Sequence, residues 1–177
     1  MHRSSPQASG SILIGVGANL SSDRFGAPLA ACEAALKVLA ENPHVRVVAR
    51  SRWFESEPVP VSDQPWFING VVRVETDLSP QALLDLLHAV EARFGRVRTV
   101  PNAPRVLDLD LLAYGDAVLG ESGEGGMQVP HPRLENRAFV LLPLGDVAPD
   151  WVHPQSGRTL ADMVAKLPKD QVCRPLE

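Results

Sequence analysis

The chain has 177 residues, which suits one compact domain, and its 45% hydrophobic and 21% charged residues are those of an ordinary globular protein rather than a disordered or membrane-embedded one. Seventeen Lys plus Arg stand against 21 Asp plus Glu, a net charge of −4, so no global cationic field is available to hold nucleic acid and any anion site must be local. Cys32 and Cys173 lie far apart with neither metal-ligand spacing nor a disulfide framework, which favours reduced thiols in the cytoplasm.

The polar start, residues 1–10, reads as a flexible tail and not as a signal peptide, and no run approaches the roughly 20 apolar residues needed to cross a bilayer. Ile12 to Gly17 is short and β-branched and reads as a buried strand, with the glycines at 15 and 17 and then Asn19 assigned to a turn. From Ala27 to Glu41 the residues Leu29, Cys32, Leu36 and Leu39 share one helical face, and Asn42-Pro43 stops the pattern. Val45 to Phe54 alternates as a long strand, Ser56 to Pro65 is a stiff proline-containing loop, and Trp66 to Thr76 resumes a strand that pairs antiparallel with the first.

Ser79-Pro80 has the polar cap and first-turn proline of a helix start, followed by a stripe of Leu83, Leu86, Leu87, Val90 and Phe94 that Gly95 ends. Arg96 to Arg105 is a second loop. Val106 to Tyr114 is a strand with Leu107, Leu109 and Leu111 on one face and Asp108 and Asp110 on the other. Gly120 to Gly126 reads as a loop tip, and helices are expected over Asn136–Val147, bounded by prolines, and Thr159–Leu167. Strand, helix, strand, strand, helix, strand predicts an α+β, ferredoxin-like βαββαβ two-layer sandwich, with the helices on one sheet face, a C-terminal extension, and a single domain over 1–177.

Period-two geometry sets Asp108 and Asp110 side by side. A half-buried carboxylate pair is costly without a cation, and hard oxygens on a rigid strand suit Mg²⁺, although the same spacing also suits a solvated strand face. Arg93, Arg96, Arg98 and Arg105 gather just before the pair, where guanidinium forks could cradle a polyphosphate or pair with Glu91 and the aspartates as surface arginines do. No glycine-rich P-loop occurs, and Gly15-Val16-Gly17 lacks the third glycine of a dinucleotide fingerprint, so side chains and metal would have to neutralise any polyphosphate. Further on, His131 lies between prolines ahead of Asn136-Arg137-Ala138-Phe139. In Phe67-Ile68-Asn69 an aromatic and a side-chain amide share a strand face, where they could grip a flat heterocycle or simply be a core aromatic beside a satisfied asparagine.

Taken in order, the opening Gly15 to Leu20, Asp63-Gln64-Pro65 through Asn69, Glu91 through Gly95-Arg96-Val97-Arg98, Pro104-Arg105 through Asp110, and Val129-Pro130-His131 with Asn136-Arg137-Ala138-Phe139 form a set. On these motifs the chain resembles the 6-hydroxymethyl-7,8-dihydropterin pyrophosphokinases of folate biosynthesis, from Ile12 to about Trp151. The resemblance implies transfer of the β,γ-diphosphate of ATP to the pterin hydroxymethyl oxygen, releasing AMP, by a cytoplasmic monomer. It implies that Asp108 and Asp110 hold two Mg²⁺, that Arg96 and Arg105 assist transfer, that Arg98, His131 and Arg137 contact ATP phosphates, and that Glu91 lies in the nucleotide pocket. Pterin would stack between Phe67 and Phe139. Asn69 would read its amide edge together with backbone groups of Ser56 to Val59.

The chain departs from the family pattern at Asn102-Ala103-Pro104-Arg105, one residue shorter than the usual Arg-Trp-Gly-Pro-Arg, and at His88, Pro132 and Glu57. A ferredoxin-like binding module and a metal-dependent phosphohydrolase could use the same arginines and aspartates. Neither predicts Phe67, Asn69 and Phe139 converging.

Overall fold

The computed structural model describes residues 11–22, 26–58, 60–95, 106–120 and 127–176. The chain runs through β1 (Ile12–Ala18), α1 (Pro28–Glu41), β2 (Val45–Arg50), β3 (Phe54–Ser56), β4 (Phe67–Thr76), α2 (Pro80–Arg93) and β5 (Asp108–Tyr114), and continues through α3 (Ala138–Val147), α4 (Leu160–Ala165) and β6 (Cys173–Pro175). The sheet has the order β5-β1-β4-β3-β6, with β2 also on β4, and the paired strands are antiparallel. β2 lies opposite Val72–Thr76 and β3 opposite Phe67–Asn69, so the two are one edge in two pieces. Counting them as one strand gives the ferredoxin-like arrangement the sequence predicts.

The expected continuous strand over Val45–Phe54 breaks at Ser51–Trp53, where the Ser51 N–H still reaches the Val71 carbonyl but side chains enter the rest of the pairing. The Ser51 hydroxyl accepts from the Val71 N–H at 2.9 Å, and the Arg52 N–H donates to the Asp146 carboxylate of α3 at 2.9 Å. β1, by contrast, runs straight through Gly15 and Gly17, which are strand positions and not the expected turn. The reason is crowding: a Cβ on Gly17 would meet Oδ1 of Asn69 at 2.8 Å.

Both long helices begin with a proline in the first turn, where its missing N–H costs nothing. α2 is capped by Ser79, whose hydroxyl accepts from the Ala82 N–H, and it ends before Gly95 at φ +85°. The buried stripe of α1 runs through Ala31, Cys32, Ala35, Leu36 and Leu39. Leu29, expected on that stripe, is 37% exposed, because the stripe extends toward the N-terminus through alanines and leaves position 29 at its margin.

Two cores share the sheet. Ile14, Val16, Val72, Val74, Leu109 and Leu111 meet α1 and α2. On the other face Leu13, Val71, Leu112 and Ala113 meet Val140, Leu141 and Leu144 of α3, together with Trp151 and Leu160. The C-terminal extension is therefore a covering for the second sheet face, which the expectation of helices on one face did not include. A buried leucine contributes about 1.5–3 kcal/mol, so this second core is enough to dock α3 firmly. α3 starts at Ala138 and carries Pro143 inside it, which removes one helical hydrogen bond to the Phe139 carbonyl.

Candidate active site

Strand register assembles the site. Gly17 of β1 is paired with Asp108 of β5 on one side and Asn69 of β4 on the other, and Asn69 is paired with Phe54 of β3. The next row along is Asp110, Gly15 and Val71. Since Leu112, Leu13 and Val71 of the same alternation enter the second core, Asp108, Asp110, Asn69 and Phe67 all project toward the α3 side. Asp108 and Asn69 are thus about 10 Å apart, two strand spacings, across a glycine that puts no side chain between them.

At the acidic end Asp110 lies beside Asp108, and its pKa is pushed up to about 8 by burial first, then by Asp108 and Glu91, with Arg137 opposing. Glu91, 1% exposed on α2, accepts the Leu109 N–H at 2.7 Å and so braces the strand residue that separates the two aspartates. The loop after β5 is pinned back by the His131 N–H to the Leu112 carbonyl at 2.9 Å. His131 Nδ1 accepts the Arg133 N–H, which assigns the ring proton to Nε2, and burial followed by Arg137 pushes its pKa down to about 4, against a pull from Asp108. This histidine is a neutral donor at pH 7.

The Arg137 guanidinium stands over the Phe139 ring, 5.2 Å from its centroid, at the start of α3. At the other end of the row Asn69, 6% exposed, donates through Nδ2 to the Ser56 hydroxyl at 2.6 Å. Ser56 thus meets Asn69 through its side chain. Asn19, read from sequence as a turn residue, is buried and donates to Gln64 Oε1 and the Pro65 carbonyl, both at 3.0 Å. It ties the approach to Phe67 to the end of β1. Its sequence signal was only an asparagine following a strand end.

Asp108, Asp110, His131, Arg137 and Phe139 are therefore gathered on the same side of the sheet as Phe67, Asn69 and Ser56. Val59, Arg96, Arg98 and Arg105 lie outside the described residues. Among the described residues no group of three or more His, Cys, Asp or Glu side chains could hold a metal ion unaided. Two adjoining carboxylates on one strand are a donor set that fits Mg²⁺, an ion that commonly takes one or two carboxylates and completes its shell with phosphate and water.

Fold and cluster define an α+β protein in which a carboxylate pair, a histidine, an arginine over an aromatic ring and a buried asparagine share one side of the sheet. The family model for 7,8-dihydro-6-hydroxymethylpterin-pyrophosphokinase (HPPK) matches residues 13–149, and the chain belongs to this family. A 2-amino-4-hydroxy-6-hydroxymethyldihydropteridine pyrophosphokinase from Pseudomonas aeruginosa is 39% identical over 163 residues, 92% of this chain and 95% of that one. The enzyme of the same name from Synechocystis sp. is 38% identical over 162 residues, 92% of this chain and 78% of its own. Among solved structures, wild-type Plasmodium falciparum HPPK-DHPS with pteroate superposes with a TM-score of 0.66 at 14% identity, covering 88% of this chain and 42% of that longer one. That likeness concerns the fold.

Proposed function

We propose that the protein transfers the β,γ-diphosphate of ATP to the hydroxymethyl oxygen of 6-hydroxymethyl-7,8-dihydropterin, giving AMP and the pterin diphosphate. The observation that carries this reading is the two adjacent cross-strand rows in which a pair of carboxylates and a buried amide face the same side of the sheet, with bare glycines at 15 and 17 between the strands. In the reaction the bond from the hydroxymethyl oxygen to the β-phosphorus forms as the bond from the β-phosphorus to the AMP oxygen breaks, and the hydroxyl proton is released. In-line displacement of this kind depends on alignment and on offsetting charge along the polyphosphate.

Asp108 and Asp110 would hold two Mg²⁺, which when bound supply charge neutralisation along the ATP tail. Arg137, with Arg98, would bind phosphate oxygens by guanidinium forks, and His131 would donate Nε2–H to them as an uncharged group. Arg96 and Arg105 would offset charge on the transferred group, and Glu91 would border the nucleotide while it holds β5. Phe67 and Phe139 would enclose the pterin, with Asn69 Oδ1 and the Ser56 to Val59 loop on its amide edge. In this reading the whole of 1–177 is one domain acting as a monomer, since one chain provides the groups for both substrates. Its two free cysteines accord with the cytoplasm. No helix among the described residues is long and apolar enough to cross a membrane.

The test is to incubate the protein with ATP, Mg²⁺ and the reduced hydroxymethylpterin and to separate the nucleotides. AMP formed in step with pterin diphosphate is the expected result. Phosphate without AMP would identify a hydrolase, and no turnover would identify a binding module.

A further inference from the structure

We infer that Gln171, in the C-terminal segment beyond the residues matched by the family, is a positioning residue for the acceptor slot: it clamps the backbone that carries Arg137 and Phe139. This rests on the function proposed above. A helix needs its first N–H groups satisfied from outside, usually by a side-chain oxygen at the cap. The cap residue of α3 is Arg137, which makes no side-chain cap hydrogen bond. Gln171, more than 30 residues later, supplies one: its Oε1 accepts the Ala138 N–H at 2.8 Å, while its Nε2 donates to the Asn136 carbonyl at 2.6 Å. A primary amide carries donor and acceptor in one plane, so a single side chain fixes the backbone on both flanks of Arg137.

The same segment reaches the opposite wall of the slot. The Val172 carbonyl accepts the Glu57 N–H at 3.1 Å, Cys173 is paired with Ser56, and the Leu176 N–H donates to the Trp53 carbonyl at 2.9 Å. Ser56 is in turn the hydroxyl that receives Asn69. Residues 171–176 therefore join the strand under Asn69 to the turn that presents Phe139, and Gln171 sets the spacing between the two faces meant to enclose the pterin. Without it every substrate-proximal side chain is still present, but the separation of the two faces is no longer fixed.

The experiment compares wild type, Gln171→Leu, Gln171→Glu and Lys169→Ala, an exposed change in the same tail, by steady-state kinetics and thermal melting. Gln171→Leu is expected to raise the KM for the pterin by about tenfold while kcat falls by less than about threefold, the signature of weakened ground-state positioning. Gln171→Glu keeps the acceptor for Ala138 N–H and loses the donor, so its KM should lie between, and it serves as the readable variant if the leucine form does not fold. Lys169→Ala should match wild type. An unchanged pterin KM in a folded Gln171 variant overturns the inference, as does a loss confined to kcat that follows a lowered melting temperature. A wild type that forms no AMP would refute the proposed function instead, and the two failures are distinct.

Discussion

A Cβ on Gly17 would stand 2.8 Å from Oδ1 of Asn69, closer than such atoms approach, and the atom displaced is the one that would read the pterin amide edge. Gly17→Ala should therefore cost about 1–3 kcal/mol of stability through overpacking and raise the pterin KM by about tenfold or more, with the KM for ATP less affected. Chemical denaturation and steady-state kinetics together check both parts. The carboxylates should show the opposite pattern. Asp108→Ala or Asp110→Ala is expected to lower turnover by about a thousandfold or more, several kcal/mol of charge stabilisation, while equilibrium binding of the pterin stays within a few-fold. Full activity in either variant would remove that residue from the metal assignment.

His153, which is not among the candidate site residues, gives a prediction about pH. Its ring is 5% exposed and lies edge-on to Trp151, and Nδ1 accepts the N–H groups of Gln155 and Ser156 at 3.2 and 3.1 Å. Burial lowers its pKa, Glu135 opposes this and Arg158 assists it. With the folded value below the unfolded one of about 6.5, the unfolded chain takes up the proton first on acidification. The stability tied to neutral His153 is complete above that pH and is lost as pH falls toward the folded value. His153→Asn retains an acceptor without the titration, so its melting temperature should fall less than that of wild type between pH 7 and pH 5. Equal falls would exonerate the histidine.

At the scale of elements, α3 and α2 do different work although both pack apolar side chains on the sheet. Leu141 of α3 and Leu87 of α2 are both fully buried, one in each core. Truncation of either to alanine should cost about 2–5 kcal/mol. Only Leu141→Ala should also raise the pterin KM in the folded fraction, because α3 carries Phe139 and follows Arg137, whereas α2 reaches the site through Glu91 alone. Comparing kinetics per folded molecule, measured well below each melting temperature, separates the two.

The helices of the first core were legible because each showed a polar face: the stripes through Leu36 and Leu39, and through Leu83, Leu87 and Val90, each run along a single side. α3 gave a helix but no direction. Its run Ala138 to Val147 is apolar on nearly all sides and interrupted by Pro143, so periodicity could not say which surface it covers. The break after Arg50 was equally silent, since it depends on a serine hydroxyl and on Asp146, 94 positions away from Arg52.

For the molecule as a whole, local alternation was enough to place Asp108, Asp110, Phe67 and Asn69 on their faces, because a strand with one buried side fixes the other. What sequence could not supply was the pairing of strands through Gly17, or the return of the C-terminal segment to the edge of β3, since both depend on contacts between distant positions. Glu91 shows the same limit: a carboxylate on the inner side of α2 looks out of place until the Leu109 N–H is seen beneath it.

The division of the sheet into two unlike faces has a consequence for engineering. Selection for heat tolerance would work most freely through side chains beneath α1 and α2, whereas the same search beneath α3 would act on the helix that carries Phe139 and follows Arg137.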